Sequence, residues 1–386
     1  MRARYTSAVL LGLRQPEEEC RPNRGIFPAY SARRFCGKCN LKVSTAMQVG
    51  DVMLGERPLL LAPMEDVTDQ SFRLLCREYG ASMVYTEFVN ADGLVRGARK
   101  LSEKMEVLEA ERPVGIQLYG QHLESMVHAV RLACELSPEV VDLNFGCPVK
   151  KIAGRGAGAG MLRDLPALVA MAREAVKVSN RPVTVKTRLG WDADSIVIEA
   201  LALQLQDVGV AALTVHARTR AQLYSGKADW SWLYRLKNNP RLTIPIVGNG
   251  DIATPQAAKQ AFEEYHVDGV MVGRATYGKP WLFREMRHYI DTGELLQPAG
   301  IAERVEVAKR HLELSLAVKG ERRGIFELRR HLGCYFKGLP DFRALRLRLL
   351  TEESPLAVRE LIEQVGERYA DWQPLDVKNY GPWGTE

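Results

Sequence analysis

The chain has 386 residues, of which 46% are hydrophobic and 26% charged, as in globular proteins that bury a sizeable core. It has no apolar run of the roughly 18 residues that a membrane-spanning helix needs, and its seven cysteines are too scattered for a disulfide framework. The net charge is +6, and we expect a cytoplasmic monomer with one large and one smaller domain.

Residues 1–46 carry nine Lys or Arg against three Glu and show little periodicity, so we predict a disordered extension. Cys36 and Cys39 have the spacing of half a zinc site, but no second pair follows, and we predict that no metal binds there. Patterning typical of a folded protein begins at Met47.

Short β-rich runs alternate with longer amphipathic segments from residue 58 onward. The predicted strands are 58–64, 82–88, 113–119, 140–145, 182–187, 211–217, 244–250 and 268–274, and helical spacing recurs between them at 122–136, 164–178, 194–208 and 254–265. Eight nearly continuous apolar strands separated by helices predict an α/β fold, a (β/α)8 TIM barrel, over residues 47–298. A doubly wound sheet is the main alternative, although it does not normally need eight such units.

Polar residues follow seven of the eight predicted strands. They are Glu87, Asn90, Gln117, Asn144, Cys147, Lys186, Arg188, His216, Arg218, Asn249, Asp251 and Arg274. Because the carboxyl ends of barrel strands meet at one mouth, where active sites of this fold lie, we expect these side chains to converge.

The composition of that mouth suits flavin mononucleotide. Glycines in "GNGDI" and "GRATYG" let backbone N–H groups approach a phosphate. The amide groups of Gln117 and Asn249 can donate to and accept from the edge of a flavin or pyrimidine ring. A sugar phosphate bound without a cofactor remains an alternative.

Six motifs carry a family resemblance. They are "LAPMEDVTDQSFR" (61–73), "DLNFGCPVKKIAGRGAGAGML" (142–162), "VTVKTRLGW" (183–191), "LTVHARTRAQLYSG" (213–226), "PIVGNGDI" (245–252) and "GVMVGRATYGKPWLF" (269–283). In order and without gaps from about residue 48 to 365, the chain resembles the tRNA-dihydrouridine synthases, and "RRHLGCYFKGLPDFRALR" (329–346) resembles the helical RNA-binding domain of their bacterial branch, B-type.

The resemblance implies FMN, reduced by NADPH, and a tRNA uracil that receives hydride at C6 and a proton at C5. Cys147 matches the proton donor of the family. The residues that match the flavin site are Pro63, Met64, Glu65, Gln117, Lys186, His216, Asn249, Gly250, Asp251, Gly273 and Arg274. The chain departs from the commoner Ala-Gly at Glu65-Asp66, which leaves the role of the Glu65 side chain open.

The basic segment 301–350, with twelve Lys or Arg against six acids, lies within a predicted helical tRNA-binding domain at 299–370, before a tail at 371–386. The predicted substrate contacts are Asn90, Asn144, Arg188, Arg329, Arg330, Lys337 and Arg343. Gly338 and Pro340 predict a turn between helices, and Tyr335 and Phe336 either stack on a base or fill the helical core.

Two other functions fit parts of the sequence. A flavin barrel of the dihydroorotate dehydrogenase type acts on a free pyrimidine, but has no use for a basic helical tail. An RNA-binding module on an inactive barrel has no use for Cys147 and the strand-end residues. We predict no metal site.

Overall fold

The computed structural model describes residues 46–374. Its strands are β1 (Met47–Val49), β2 (Val52–Gly55), β3 (Leu59–Leu61), β4 (Val84–Tyr85), β5 (Val89–Asn90), β6 (Val114–Tyr119), β7 (Val140–Phe145), β8 (Val183–Arg188), β9 (Ala212–His216), β10 (Ile246–Asn249) and β11 (Gly269–Val272). The extension at 1–45, with Cys36 and Cys39, and residues 375–386 lie outside the described residues.

Helices follow most of the strands, and four more complete the chain. They are α1 (Gln70–Glu78), α2 (Ala91–Val95), α3 (Arg99–Lys104), α4 (Leu123–Glu135), α5 (Lys150–Ala153), α6 (Leu165–Val178), α7 (Ile198–Asp207), α8 (Ser231–Asn238), α9 (Pro255–Tyr265), α10 (Leu282–Thr292), α11 (Ile301–Lys319), α12 (Glu321–Tyr335), α13 (Arg343–Thr351) and α14 (Pro355–Arg368). None of the helices within residues 46–374 has the length and apolarity that crossing a bilayer requires.

The parallel strands form a ring in the order β3, β11, β10, β9, β8, β7, β6, β4. The ring closes where Leu60 bridges Met83, with the Leu61 amide donating to the Met83 carbonyl at 2.9 Å. This arrangement confirms the predicted (β/α)8 barrel with a helical C-terminal region.

The predicted strand 82–88 is divided into β4 and β5, both of which pair with β6. Between them the Thr86 hydroxyl accepts the Gln117 amide at 3.1 Å, and the Glu87 carboxylate accepts the Asp66 amide at 2.6 Å. The Thr86 amide still donates to the Gly115 carbonyl at 2.9 Å, so side-chain hydrogen bonds supplement the backbone ladder at this point, and one of them holds Glu87 against the loop after β3.

An antiparallel hairpin of β1 and β2 precedes the barrel. Met47, Val49 and Leu54 are buried against barrel residues that include Leu60 and Met271. The sequence analysis predicted folded structure from Met47 but not this hairpin, which adds apolar packing to the barrel core.

The C-terminal helices form a basic region whose buried apolar residues are continuous with the core of the barrel. Tyr335 and Phe336 are fully buried, which settles their role as core residues rather than base-stacking ones. Gly338, with φ of 92°, lies in the predicted turn between α12 and α13.

A buried polar joint connects α11 and α12 to the start of α1. The Asp69 carboxylate accepts the Phe72 amide at 2.9 Å and the Ser71 hydroxyl at 2.7 Å, and it also binds the Lys319 ammonium. Burial alone raises the pKa of Asp69, but Lys319 outweighs it and the pKa is lowered. Because Asp69 directly follows the loop after β3, the joint ties the helical region to the barrel mouth.

Candidate active site

Cys147 lies immediately beyond the end of β7 and is 7% exposed. The Oδ1 atom of Asn144 accepts the backbone amides of Cys147 at 2.8 Å and Gly146 at 3.0 Å. The Cys147 carbonyl accepts the Ala159 amide at 3.1 Å. The thiol therefore projects from a backbone that is fixed on both sides.

A chain of buried hydrogen bonds supports Asn144 from within the barrel. Asn144 Nδ2 donates to Gln117 Oε1 at 2.8 Å, Gln117 Nε2 donates to Asp142 Oδ2 at 2.6 Å, and the Thr184 hydroxyl donates to Asp142 Oδ1 at 2.5 Å. Burial raises the pKa of Asp142 to about 6. These contacts fix the amide orientations at Gln117 and Asn144, and thereby position Cys147.

Burial also raises the pKa of the Cys147 thiol, although Arg188 and Lys186 oppose the shift. A thiol with a raised pKa stays protonated at neutral pH, as a proton donor must. The neighbouring cations would stabilise a thiolate at this position.

Lys186 and His216 lie beside this acid at the ends of β8 and β9. Burial lowers the pKa of Lys186 to about 8, with Arg188 adding to the effect. The pKa of His216 is lowered well below its usual value by burial and by four cations, of which Arg188 has the largest effect. His216 is therefore neutral, and Nε2 accepts from Arg218 Nη1 at 3.4 Å.

This concentration of positive charge matches an anionic ligand. Within the described residues, Lys186 Nζ has one hydrogen-bond partner, Asn249 Oδ1 at 3.1 Å, for its three N–H donors. Asn249 Nδ2 donates in turn to the Met271 carbonyl at 2.8 Å. The buried ammonium thus retains donors for a ligand at the mouth.

Asp251 is the carboxylate that balances part of this charge. It forms a two-point pair with Arg218, each N···O distance being 2.7 Å, and its other contacts are the Ala228 amide at 2.8 Å and Arg274 at 3.7 Å. The carboxylate therefore organises the loop and the two arginines, of which Arg218 is buried and Arg274 is exposed, so a phosphate would meet Arg274 and backbone amides rather than Asp251 itself.

Gly250 and Gly273, in the loops after β10 and β11, differ in how much space surrounds them. Gly250 has φ of 125°, and a Cβ there would lie 2.9 Å from Ala228 and 3.1 Å from the His216 ring, so only glycine fits. At Gly273 the nearest atoms to a Cβ would be in Ala62 and Met64, at 3.6 and 3.7 Å. Gly273 leaves bare backbone beside Met64, as close approach of a ligand requires.

The loop after β3 contains Pro63, Met64 and Glu65. The Met64 amide donates to the Thr68 hydroxyl at 2.9 Å, and its carbonyl accepts the Thr68 amide at 3.0 Å, which fixes the turn. Burial raises the pKa of Glu65, whose carboxylate binds the Lys104 ammonium.

Glu65, Asp66 and Glu87 lie close enough to resemble a cation site. Lys104 Nζ binds Glu65 and also Glu87, the latter at 3.2 Å, so an ammonium already pairs with two of the three carboxylates. The departure at Glu65-Asp66 thus has a structural role: it adds carboxylates that hold α3 and, through Arg330, α12 against the loop.

The predicted substrate residues of the barrel have local partners. Asn90 Oδ1 caps α2 by accepting the Gly93 amide at 2.6 Å. Arg188 is 1% exposed and donates to the carbonyls of Gly146 at 2.9 Å, Thr219 at 2.9 Å and Leu223 at 2.8 Å. Arg188 therefore joins the loops after β7 and β9, and burial lowers its pKa to about 10.

The predicted RNA-contacting residues of the helical region differ in whether they already have partners within the fold. Arg329 donates to the Thr351 and Glu352 carbonyls at 3.2 and 3.0 Å, at the end of α13. Arg330 pairs with Asp66 at 2.8 Å. Lys337 and Arg343 are exposed and have no carboxylate partner within residues 46–374.

The structure adds site residues that the sequence analysis did not select. Asp142 and Thr184 form the base of the buried chain, and Tyr224 lies 4.3 Å from the Arg274 guanidinium and 5.6 Å from that of Arg188. Asp142 could have been found from the alternation of β7, because it lies two positions before Asn144 and faces the same side.

Comparison with known proteins agrees with this arrangement. Residues 60–365 match the model of the family described as dihydrouridine synthase (Dus). The chain is similar to a "Probable tRNA-dihydrouridine synthase 1" of Synechocystis sp., with 40% identity over 82% of this chain and 88% of that one. It is 38% identical to a "tRNA-dihydrouridine synthase B" of Xanthomonas axonopodis pv. citri, over 81% of this chain and 94% of that one. A protein of the same name from Pseudomonas aeruginosa is 38% identical, over 78% and 90%.

Proposed function

Because the chain belongs to the dihydrouridine synthase family, we propose that it reduces the C5=C6 bond of a uridine in tRNA to 5,6-dihydrouridine, with FMN as the bound flavin and NADPH as the reductant. The observation that carries the proposal is the buried, protonated thiol of Cys147 beside a cluster of cations at the strand ends. An acid next to an anion-binding mouth is what this reduction needs.

The residues present fit FMN. The spare donors of Lys186, the bare backbone at Gly273, and the guanidinium of Arg274 would hold its phosphate and ring. Gln117, with its amide orientation fixed by Asp142 and Asn144, retains one N–H and one lone pair for the ring edge.

When bound and reduced, the flavin supplies the hydride that goes to C6 of the uracil. The Cys147 thiol gives its proton to C5 as electron density develops there, and the thiolate then takes a proton from water. The uracil thus gains one hydride and one proton. Arg188 and Lys186 stabilise the thiolate, and Asn144 keeps Cys147 in place through the backbone.

The basic helical region supports tRNA over a free pyrimidine as the substrate. Lys337 and Arg343 present unpaired positive charge, and a small substrate needs no such surface. The names of the similar proteins point the same way.

The test compares two groups of substrates with the full chain, reconstituted with FMN and NADPH. One is unmodified tRNA, and the other is free uracil, uridine monophosphate and orotate. Mass spectrometry of digested tRNA should detect dihydrouridine, and the free pyrimidines should remain unreduced. Reduction of a free pyrimidine with none in tRNA would contradict the proposal.

A further inference from the structure

A second cationic surface lies across the mouth from the helical region. We call it the far rim, and it consists of Lys150, Lys151, Arg155, Arg163 and Arg220 around Trp191. These residues follow β7, β8 and β9, and from residue 143 to 163 the chain has four cations and no acid.

The order of the strands in the barrel shows where the far rim lies relative to the helical region. The helical region contacts the loop after β3, through Asp66 and Val67, and the loop after β11, through Gly278. In the strand order, β8 is four places from β3, and β7 is four places from β11. In an eight-stranded ring these are opposite positions, so the mouth with Cys147 separates the two basic surfaces.

The far rim cations are free of acidic partners. None of its five Lys and Arg side chains forms an ion pair with a carboxylate within residues 46–374. In the helical region, by contrast, several basic side chains are paired with carboxylates: Lys309, Arg310, Lys319, Arg323, Arg330 and Arg359. The positive charge of the far rim is therefore not balanced by ion pairs within the described residues.

Trp191 orders two of these cations. The guanidinium groups of Arg163 and Arg220 each lie 4.5 Å from the centroid of its ring, and Arg220 Nε is buried without a hydrogen-bond partner. Stacking on an aromatic ring holds a guanidinium plane while leaving its N–H groups available, and arginine so held suits recognition of phosphate.

A cleft of about 470 Å³ opens beside Arg163, between the loop after β6 and residues 156–164. Its walls include Gln121, His122, Gly156 and Gly160. The same loop is tied to the backbone of Cys147, because the Ala159 amide donates to the Cys147 carbonyl. Asp164 also lines the cleft, and its carboxylate is engaged in capping α6, where it accepts the Ala167 amide at 3.0 Å.

We propose that the far rim binds the ribose-phosphate backbone of the RNA substrate on the side of the mouth opposite the helical region, with the cleft taking a nucleotide next to the reduced uridine. The inference rests on the proposed function. RNA held on both sides of the mouth presents a uridine to Cys147 between two fixed contacts, which favours displacement of the base from its stack into the site.

The test is a salt titration of tRNA binding by the flavin-loaded full chain. The variant is Arg155→Gln/Arg163→Gln, and the matched control is Arg131→Gln/Arg173→Gln, which removes the same charge from exposed positions on α4 and α6. We expect the variant to lower the log–log salt slope by about 1 per arginine and to raise the KM for tRNA, with the control close to wild type.

Flavin content and the rate of flavin reduction by NADPH should stay the same in all three proteins. If Arg163→Gln lowers the flavin content, the variant to use instead is Lys151→Gln/Arg155→Gln, because both of these side chains are exposed. Identical salt-titration curves for the variant and the control would overturn the inference. A variant in which the KM for NADPH rises and the KM for tRNA does not would also overturn it. Failure of the proposed function is distinct, because wild type would then form no dihydrouridine.

Discussion

Asn144 links two requirements of the site, since one side of its amide holds the backbone of Cys147 and the other belongs to the buried chain that ends at Asp142 and Thr184. The geometry of the acid is therefore set from inside the barrel. Its protonation is set by burial, which outweighs the neighbouring cations.

Arg274 gives a prediction for the cofactor site. Its guanidinium stacks near Tyr224 and lies 3.7 Å from Asp251, but its side chain is 52% exposed, so it can contact a phosphate without rearrangement of the core. We expect Arg274→Ala to weaken FMN binding by roughly 10-fold to 100-fold, the loss typical of a charge-assisted contact. Arg274→Lys should lose less.

Flavin fluorescence on titration of the apoprotein measures this affinity. Equal affinity of Arg274→Ala and wild type would show that the phosphate lies elsewhere in the mouth.

The sequence predicts those site residues that end strands, because strand ends of a barrel share one mouth. Asn144, Lys186 and His216 were identifiable in this way. Their partners were not all identifiable, since the pairing of Arg218 with Asp251 depends on the conformation of a loop at positive φ. The sequence did not predict the far rim, because the stacking of Arg163 and Arg220 on Trp191 joins three separate loops.

At the scale of elements, α12 meets the barrel through His331. Its Nε2 donates to the Val67 carbonyl at 3.0 Å, its Nδ1 accepts the Gly278 amide at 3.3 Å, and its ring centroid lies 4.1 Å from that of Phe72. Both ring nitrogens of neutral His331 form hydrogen bonds. Protonation of Nδ1 would place its N–H against the Gly278 N–H and remove the hydrogen bond between them. Burial lowers the pKa of His331 to about 4.

This lowered pKa predicts how stability depends on pH. The unfolded chain binds a proton at His331 near pH 6.5, whereas the folded chain does so near pH 4, so the unfolded state binds more protons between these values. The contribution to the free energy of unfolding is therefore present above about pH 6.5 and decreases as the pH falls toward 4.

Chemical denaturation at a series of pH values tests this, with His331→Gln as the comparison. The variant should lose part of the dependence between pH 6.5 and 4, and His266→Gln, at an exposed position on the barrel, should retain it. An unchanged pH dependence in His331→Gln would contradict the assignment.

Element types were more predictable than the contacts between them. Periodicity identified the barrel strands and the crossover helices, and the turn at Gly338 and Pro340 was predicted from local chemistry. By contrast, the role of Arg329 at the end of α13 depends on which helix packs beside it. A basic residue looks the same in a sequence whether it binds RNA or a carbonyl.

At the scale of the molecule, the unpaired cations of the helical region give a prediction for RNA binding. Lys337→Gln/Arg343→Gln should lower the log–log salt slope of tRNA binding by about 1 per residue, because each removes a phosphate contact without breaking an ion pair. Substitution of Arg329 and Arg330 is a poorer test, since those changes also remove contacts within the fold.

Filter binding of tRNA at several salt concentrations measures the slope, and NADPH-dependent flavin reduction should not change. The matched control is Arg131→Gln/Arg173→Gln. Identical slopes in all proteins would place the RNA away from the turn between α12 and α13.

The most direct test of the account is the dihydrouridine content of tRNA after reaction with wild type and Cys147→Ala, measured by mass spectrometry at equal flavin occupancy. We predict that the variant retains FMN and its reduction by NADPH but forms dihydrouridine about 10²-fold to 10⁴-fold more slowly, because only the proton donor is lost. Formation of dihydrouridine by Cys147→Ala at the wild-type rate would contradict the account.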